Sequence, residues 1–316
     1  MEIFHLHYPE LTFQGDLPAE RSVAEGPSVV AIGVFDGVHK GHRAVLDLAI
    51  ETARRSNLVP TVLTFIDHPQ NTLRPDLPVP LLTPWLEKQQ RLAETGVRRT
   101  VGVRFTRAFA ELSPWDFTQR ILVEQLGARA VVVGPDFAFG HQQKGHIERL
   151  LEFGKRLGFE LKVAPPFSHD GVVSSTRIRR LLATGALEEA EALLGYRYCL
   201  RGTVVGGDQR GRLLGFPTAN LKLPEQKLVP AYGVYAGWAV SREWRKPAVI
   251  NVGQRPTFDP PQLKIEAHVL DWEGDLYGQE LSVELVRRLR PEQAFPNVEA
   301  LKSQMREDSR IARAYF

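Results

Sequence analysis

Hydrophobic and polar positions follow two different rhythms along the chain. From residue 28 to about residue 185, short apolar runs alternate with longer segments in which apolar residues recur at helical spacing. The candidate strands are residues 29–34, 61–65, 100–103, 130–133 and 160–163. Their starts recur at intervals of roughly 30 to 40 residues, the length of a strand–helix–strand unit. This rhythm predicts a doubly wound α/β domain whose parallel sheet is covered on both faces.

Helix start and stop residues lie between the apolar runs. Ser113 followed by Pro114 is a strong signal for the start of a helix. Ser174 or Ser175 is placed to cap another helix, which we expect to end near Gly185. These signals agree with helices that cross over between parallel strands.

The rhythm changes after about residue 195, where glycine-rich turns become frequent. The runs between these turns are short, and we expect strands at residues 200–205, 233–240, 248–252, 265–270 and 281–289. Short strands separated by such turns predict a small antiparallel β-barrel. A final helix is predicted after Pro296, with Asn297 as its cap. We therefore expect an α/β domain over residues 1–185 and, over residues 186–316, a barrel domain with a C-terminal helix.

Composition narrows the class of protein. The 316 residues are 43% hydrophobic and 24% charged, with a formal net charge of +3, which is typical of a globular protein. This charge does not favour a nucleic acid or a membrane as partner. The single cysteine, Cys199, excludes an intrachain disulfide and a cysteine-based zinc cluster. No apolar run approaches the roughly 18 residues of a membrane span, and no signal peptide is visible, so we expect a cytoplasmic protein.

The most informative segment of the first half is G-V-F-D-G-V-H-K-G-H, residues 33–42. It follows a predicted strand and begins a predicted helix, a position where backbone N–H groups and the helix dipole favour an anion. Glycines at its turns allow the backbone to approach a ligand closely. His39 and His42 are three residues apart and project from one face of the first helical turn. This pattern predicts a phosphate-handling site rather than two packed histidines.

A second glycine-rich segment, residues 202–220, lies in the second half. Gly207, Gly211 and Gly215 suit a loop that folds over phosphates. Thr218 and Asn220 alternate along a strand and point the same way, and their side-chain oxygens are suitable ligands for Mg²⁺. From the residues alone, a hairpin with a polar edge explains this segment equally well.

Residues 33–42 resemble the G-x-F-D-G-V-H-x-G-H motif of the bacterial bifunctional riboflavin kinase/FAD synthetases. Residues 131–140 and 173–179 extend the resemblance over the α/β half. It implies a nucleotidyltransferase domain that adenylylates FMN with ATP, giving FAD and pyrophosphate. By the same resemblance, His39 and His42 are catalytic groups on the ATP phosphates, and Ser175, Thr176 and Arg179 hold the β/γ end. The other implied substrate-binding residues of this half are Gly33, Phe35, Asp36, Gly41, Asp136 and Arg177.

The barrel half carries its own resemblance. Residues 215–220, G-F-P-T-A-N, resemble the motif of riboflavin kinases, and I-E-A-H at residues 265–268 is similar to the family's V-E-x-H. The resemblance implies that Glu266 is the general base for the riboflavin 5′-hydroxyl and that Thr218 and Asn220 hold the Mg²⁺ of MgATP. It also implies substrate-binding roles for Gly207, Gly211, Gly215, Phe216 and Pro217. The expected partners are the small molecules riboflavin, FMN and ATP, and the oligomeric state is left open.

Two departures from the family pattern keep alternatives open. Residues 64–69 are T-F-I-D-H-P where the family has T-F-E-P-H-P, and Pro135 replaces an acidic residue. One alternative is therefore a riboflavin kinase with a degenerate, non-catalytic first domain. A flavin-binding regulator or nucleic-acid module is a second alternative, although the G-F-P-T-A-N segment suits MgATP better than base stacking. A different adenylyl- or cytidylyltransferase would explain the first half only.

Overall fold

The computed structural model describes residues 1–15, 26–207, 211, 214–255 and 262–316. The chain divides into two compact units, Met1–Ser175 and Thr176–Phe316. The boundary expected between residues 185 and 186 stays a prediction. Residues 208–210 and 212–213 of the glycine-rich segment lie outside the described residues, as do residues 256–257.

The first unit is built on a seven-stranded sheet. Its strands are β1 (Glu2–His7), β2 (Thr12–Gly15), β3 (Ser28–Ile32), β4 (Val59–Phe65), β5 (Arg99–Val103), β6 (Ala128–Val133) and β7 (Glu160–Val163). Their order in the sheet is β2-β1-β5-β4-β3-β6-β7. Every neighbouring pair is parallel except β1 and β2, which are antiparallel. The predicted parallel sheet is confirmed, and the sequence pattern missed β1 and β2.

The central strands are apolar on both faces because helices cover both faces. All five residues of β3 are buried. Val30 and Ile32 join one hydrophobic cluster, and Val29 and Ala31 join the cluster on the other face, as the two-residue period of a strand requires. A continuous apolar run of this kind is the mark of a strand buried on both sides.

The helices of this unit flank the sheet. They are α1 (Lys40–Ser56), α2 (Pro69–Leu73), α3 (Trp85–Ala93), α4 (Arg107–Ala110), α5 (Pro114–Asp116), which continues as a π-helix over Phe117–Gln125, and α6 (Ile147–Leu157). The Ser113 hydroxyl accepts the N–H of Asp116 at 3.0 Å, as the predicted cap requires. Strand order reverses at β3, which has β4 on one side and β6 on the other. Ligands of open α/β sheets bind at the carboxyl ends of the strands beside such a reversal.

The second unit contains a closed barrel. Helices α7 (Ser175–Thr184), whose first residue closes the first unit, and α8 (Leu187–Leu194) precede strands β8 (Cys199–Val205), β9 (Ala219–Lys222), β10 (Gly233–Val240), β11 (Arg245–Arg255), β12 (Gln262–Val269) and β13 (Glu280–Arg290). The barrel order is β10-β11-β12-β9-β8-β13, with antiparallel neighbours. Helix α9 (Val298–Arg313) follows. The predicted barrel and C-terminal helix are confirmed.

An ion pair fastens α9 to the barrel. The Arg290 guanidinium at the end of β13 donates to both carboxylate oxygens of Asp308 on α9, at distances from 2.8 to 3.2 Å. Asp308 is buried and also accepts from Gln304 at 2.9 Å. A bidentate pair of this kind fixes both position and angle. The helix cap agrees with the sequence, since the Asn297 side chain accepts the N–H of Ala300.

No helix within the described ranges is both long enough and apolar enough to cross a lipid bilayer. The expected cytoplasmic location stays a prediction.

Candidate active sites

The turn between β3 and α1 has an unusual backbone. Phe35, Gly37 and Val38 have positive φ angles of 48°, 85° and 35°. A Cβ added to Gly33 would lie 3.0 Å from the Phe35 ring, so glycine leaves room for that ring to enter the core. Residues other than glycine adopt a positive φ only where their surroundings enforce it. The turn is therefore shaped by tertiary contacts as well as by its glycines.

The two predicted histidines lie together where α1 begins. His39 is the N-cap, and its Nδ1 accepts the backbone N–H of His42 at 3.2 Å. The two rings stack, with centroids 3.6 Å apart and planes inclined by 15°. A Cβ on Gly41 would lie 3.2 Å from the His39 ring. Because Nδ1 of His39 is an acceptor, its neutral ring carries the proton on Nε2 and is a donor for an anion there.

Asp36 fastens this turn to the rest of the unit. Its carboxylate accepts the backbone N–H groups of Leu82 and Thr83, both at 3.0 Å. The Thr83 hydroxyl in turn accepts the N–H of Gly37 at 2.8 Å, and the Ser175 hydroxyl donates to the Asp36 carbonyl at 2.9 Å. These contacts explain why Asp36 and Ser175 are needed for the shape of the turn. Their predicted contacts with substrate stay predictions.

Three further predicted residues follow Ser175 on the first turns of α7. Thr176, Arg177 and Arg179 belong to the second compact unit. Their predicted role at the β/γ end of ATP stays a prediction. The sequence placed them correctly on a helix that begins at Ser175 and ends just before Gly185.

A cavity of about 970 Å³ lies at the carboxyl ends of β3, β4 and β6. Gly33 and Val34 after β3, His68 after β4 and Asp136 after β6 are among its lining residues. Gly33 and Asp136 therefore line the cavity, and their predicted roles in binding substrate stay predictions. His39 and His42 are not in its wall.

Phenylalanine rings form much of the wall of this cavity. The rings are Phe65, Phe105, Phe109, Phe117, Phe137 and Phe139. They contact one another in series, with centroids of neighbouring rings 5.2 to 6.1 Å apart. Such a wall suits a planar aromatic ligand, because offset and edge-on ring contacts are favourable at these distances. The sequence analysis missed this cluster, since scattered phenylalanines do not differ in sequence from ordinary core residues.

The sequence analysis also missed Lys88 on α3. Its side chain is only 1% exposed, and its ammonium donates to the carbonyl oxygens of Val34 at 3.0 Å and Phe65 at 2.7 Å. Burial lowers the pKa of Lys88 from 10.5 to about 8, although the charges of Asp36 and Asp67 oppose that shift. No motif marks this lysine.

In the barrel, Glu266 lies on β12 between two asparagines of neighbouring strands. It is paired in register with Asn220 on β9 and with Asn251 on β11. The Lys264 ammonium is 2.8 Å from its carboxylate, and the Thr218 hydroxyl donates to it at 3.5 Å. The predicted Glu266, Thr218 and Asn220 are thus brought together. Lys264 was missed, although its i, i+2 spacing from Glu266 places both side chains on one face of a strand.

His268 holds the G-F-P-T segment in place. Its Nδ1 lies 2.8 Å from the Pro217 carbonyl oxygen, so Nδ1 is the protonated nitrogen, and its ring centroid is 5.4 Å from that of Phe216. Burial lowers the pKa of His268, chiefly by desolvation. The neutral ring therefore fixes the main chain next to Thr218.

Two cavities meet at Thr218. One, of about 620 Å³, is lined by Gly207, Pro217, Thr218 and Asn220 together with Trp272 to Tyr277. The other, of about 320 Å³, is lined by Gly211, Phe216, Thr218 and Glu266 together with Leu301 and Met305 of α9. Thr218 is therefore at the boundary between a larger, more polar space and a smaller space that contains the carboxylate. Gly215, with φ 85°, makes the turn before this segment and lines neither cavity.

The side-chain oxygen of Asn220 fits a cation ligand. Oδ1 is buried, and among the described residues it has no hydrogen-bond partner. A Cβ on Gly207 would lie 2.3 Å from the Asn220 amide, so that glycine is needed for the backbone to pass beside it. No group of three or more His, Cys, Asp or Glu residues in the described part of the chain is placed to hold a metal. Mg²⁺ suits the site because it binds through a few protein oxygens together with water and substrate phosphates.

The geometry defines the class of protein. One unit carries imidazole groups at a helix N-terminus and a cavity lined by phenylalanine rings, and the other carries a carboxylate in the smaller of two cavities that adjoin at Thr218. Both arrangements suit the transfer of phosphorus-containing groups. Residues 22–177 match the family model of FAD synthetase, and residues 194–316 match that of riboflavin kinase.

Relatives match nearly the whole chain. It is 40% identical over 290 residues to the bifunctional riboflavin kinase/FMN adenylyltransferase of Escherichia coli strain K12, covering 91% of this chain and 92% of that protein. It is 38% identical over 322 residues to the enzyme of the same description from Listeria monocytogenes, covering 100% and 98%. The chain belongs to the family of bifunctional riboflavin kinase/FMN adenylyltransferases. The resemblance found in the sequence is confirmed, and both units are enzymatic.

A solved structure shares the fold. A protein from Streptococcus pneumoniae, described as a macrolide-efflux protein, superposes with a TM-score of 0.84 at 33% sequence identity. The match covers 92% of this chain and 94% of that chain. The efflux description applies to that protein.

Proposed function

We propose that the barrel unit, residues 186–316, phosphorylates riboflavin and that residues 1–185 adenylylate the FMN it forms. The observation that carries the barrel assignment is the position of Thr218, which lines two cavities while Glu266 lines the smaller one. Two substrates placed in adjoining cavities meet where the walls join. The Glu266 carboxylate in the smaller cavity, 3.5 Å from Thr218 Oγ1, is the group that a phosphoryl transfer to a hydroxyl requires.

In the barrel, ATP occupies the cavity of about 620 Å³ and riboflavin the cavity of about 320 Å³. Glu266 accepts the proton of the riboflavin 5′-hydroxyl while the hydroxyl oxygen bonds to the γ-phosphorus. The bond between that phosphorus and the β–γ bridging oxygen breaks, and ADP leaves. The Lys264 ammonium keeps the carboxylate oriented, and Gly207 in the wall of the larger cavity lets the chain approach the phosphates. Gly211 lines the smaller cavity, and Gly215 makes the turn before Phe216.

Mg²⁺ fits this arrangement through Thr218 Oγ1 and Asn220 Oδ1. The buried, unpartnered oxygen of Asn220 supports that assignment. A bound Mg²⁺ supplies charge neutralisation to the phosphate oxygens of ATP. Phe216 and Pro217 shape the same segment, and His268 holds it by its bond to the Pro217 carbonyl.

In the first unit, the isoalloxazine ring of FMN occupies the cavity of about 970 Å³, among the phenylalanine rings. The FMN phosphate oxygen attacks the α-phosphorus of ATP, the α–β bridging bond breaks, and pyrophosphate leaves. A phosphate nucleophile is already ionised, so this step needs charge stabilisation rather than a base. His39 and His42 supply donors to the ATP phosphates, beside the N-terminus of α1.

The remaining predicted residues keep the roles that the family resemblance implies. Ser175, Thr176, Arg177 and Arg179 at the start of α7 would hold the β/γ end of ATP, since hydroxyl and guanidinium groups at a helix start bind anions well. Gly33, Phe35, Asp36 and Gly41 shape the turn that carries the histidines. Asp136 lines the flavin cavity.

Position-specific labels on ATP test the two reactions in one tube. The protein is incubated with riboflavin and Mg²⁺ plus ATP labelled at either the γ- or the α-phosphorus, and the flavins are separated by chromatography. We expect the γ label in FMN and in the flavin-side phosphate of FAD, and the α label in FAD alone. Omission of divalent cation is expected to stop FMN formation.

Each departure from that result has one meaning. FMN that accumulates without FAD would select the alternative of a non-catalytic first domain, which the substitutions at Asp67 and Pro135 motivate. Unchanged riboflavin would overturn the barrel assignment. An α label in FMN would show that the riboflavin hydroxyl attacks the α-phosphorus of ATP instead of the γ-phosphorus.

A further inference from the structure

The buried ammonium of Lys88 has no role in the steps above. Lysine is rarely buried completely, because removing its charge from water is costly unless the charge is hydrogen-bonded. Lys88 is 1% exposed, yet it lies in the first turn of α3, where the helix dipole disfavours a cation. Neither the burial of Lys88 nor its position in the helix explains why a lysine stands there. The explanation must therefore lie in the contacts of its ammonium group.

Its two acceptors are at the ends of neighbouring strands. The carbonyl of Val34 lies two residues beyond the end of β3, in the turn that carries His39. The carbonyl of Phe65 ends β4 and precedes the loop that carries His68. Val34 also accepts the Thr64 hydroxyl at 3.0 Å, which ties the same two strands together. One ammonium therefore bridges the carboxyl ends of β3 and β4.

Both bridged residues line the cavity of about 970 Å³. Lys88 itself does not line the cavity and reaches Val34 and Phe65 through their main-chain oxygens. A change in the spacing of these strand ends would move the phenylalanine wall relative to the histidine turn. In the proposed reaction, those are the surfaces that hold FMN and the ATP phosphates.

We propose that Lys88 is a positioning residue for adenylyl transfer, whose ammonium fixes the strand ends between the flavin cavity and the histidine turn. The inference rests on the function proposed for the first unit. Lys88 does not touch substrate, so it acts through Val34 and Phe65. Its loss misaligns the two substrates while each can still bind.

Burial of the Lys88 ammonium makes the bridge sensitive to pH. Asp36 from the histidine turn and Asp67 from the loop after β4 face the ammonium and favour its charged form, and Glu87 is its neighbour on α3. Burial outweighs the two aspartates and brings the pKa to about 8. Hydrogen bonds from a charged donor are roughly twice as strong as neutral ones, so the bridge weakens as pH rises through that value.

The first test replaces Lys88 by methionine, which keeps the length of the side chain and removes the donor. We expect Lys88→Met to lower kcat for FAD formation about 10- to 100-fold, the effect of a small misplacement of reactants, with a smaller change in KM for FMN. FMN formation by the barrel serves as an internal control and is expected to be unchanged. Lys155→Met, at an exposed lysine near the end of α6, is the matched control and is expected to leave both reactions unchanged.

The second test starts from the pH profile of the unaltered protein. We expect kcat for FAD formation by the unaltered protein to fall as pH rises through about 8, and Lys88→Met to lack that fall. A role in stability alone would not move a pH profile of kcat measured on folded protein. This profile decides the inference if the methionine variant fails to fold.

The outcomes separate this inference from the proposed function. An unaltered protein that forms no FAD at any pH would overturn the adenylyltransferase assignment. An active protein with no fall through pH 8, or a folded Lys88→Met variant with unaltered kcat, would overturn the role of Lys88 alone.

Discussion

The two active sites of this chain are assembled in different ways. In the α/β unit, the histidine site is a local structure, since one turn of ten residues supplies the glycines, the helix cap and both imidazoles. In the barrel, Thr218 and Glu266 are 48 positions apart and meet because β9 and β12 are adjacent. A site made by one turn depends on backbone conformation, whereas a site made by strand register depends on the whole barrel.

The difference also determines how structure and chemistry are coupled. His39 is a helix cap and a buried ring as well as a predicted catalytic group. Glu266 is partly exposed and pairs with Lys264, so it does little to hold the barrel together. We therefore expect substitutions at the barrel site to change activity with little change in stability. Substitutions at the histidine site are expected to change both.

The largest expected effect is at Glu266. Glu266→Gln keeps the shape of the side chain and removes the base, so we expect kcat for FMN formation to fall about 10²- to 10⁴-fold. FAD formation from added FMN is expected to be unchanged. Initial rates with each flavin, separated by chromatography, measure both.

The control for this variant is Glu225→Gln, at an exposed carboxylate of the barrel unit, which should leave both rates as they are. A Glu266→Gln variant with full kinase activity would remove the base from the mechanism.

A smaller effect is expected at His39. Two substitutions there separate its role as a helix cap from its predicted role in catalysis. Asparagine is a good helix cap but lacks the imidazole donor, whereas alanine lacks both. We expect both variants to lower FAD formation, by about 10²- to 10³-fold if one transition-state donor is lost. His39→Ala alone is expected to lose a further ~1 kcal/mol of unfolding free energy.

Urea denaturation and FAD assays on the same preparations check this pair. If His39→Asn kept full activity, capping would be the whole role of His39. In that case the two sites would differ more than we propose, because the α/β unit would work without this imidazole.

Next in size is the ion pair that fastens α9 over the cavity of about 320 Å³, in which we propose that riboflavin binds. Replacing Asp308 by alanine leaves the Arg290 guanidinium without its bidentate partner, and breaking a buried pair in this way costs about 3–5 kcal/mol. We expect the barrel to unfold at lower denaturant concentration and the KM for riboflavin to rise, because Leu301 and Met305 of α9 line that cavity.

FAD formation from added FMN in low denaturant is the control for Asp308→Ala. Equal loss of both activities would contradict the view that the pair acts on the barrel site.

The smallest expected effect is the pH dependence contributed by His268. Burial holds its folded pKa below 6.5, so the unfolded chain takes up a proton that the folded barrel does not. The unfolding free energy of the barrel therefore decreases as pH falls from 6.5 toward the folded pKa of His268. Above pH 6.5, His268 contributes no pH dependence to the unfolding free energy.

Urea denaturation between about pH 5 and about pH 7.5 measures this contribution. His268→Asn, which does not titrate and can still donate to the Pro217 carbonyl, should lose this part of the slope. An unaltered slope in that variant would assign the dependence to other groups.

Much of the fold could be predicted from the sequence where the determining interactions are between residues close together in the chain. The strands β3 to β7 lie where the alternation of short and long segments predicts strands, and the starts of α5 and α9 have capping residues that the structure confirms. The motifs at residues 33–42 and 215–220 were sufficient to identify the family. Strand β1 was missed because its residues alternate between half-buried and buried, which is a weak pattern over six residues.

What the sequence alone determined is the succession of strands β3 to β7, the change to a barrel with a C-terminal helix, the position of each motif and the family. The tertiary structure decided which distant residues meet: Lys88 under the ends of β3 and β4, Lys264 beside Glu266, and the phenylalanines around one cavity. The physical reason is that capping and periodicity involve neighbours in sequence, whereas burial of a charge depends on groups that only the folded chain brings together.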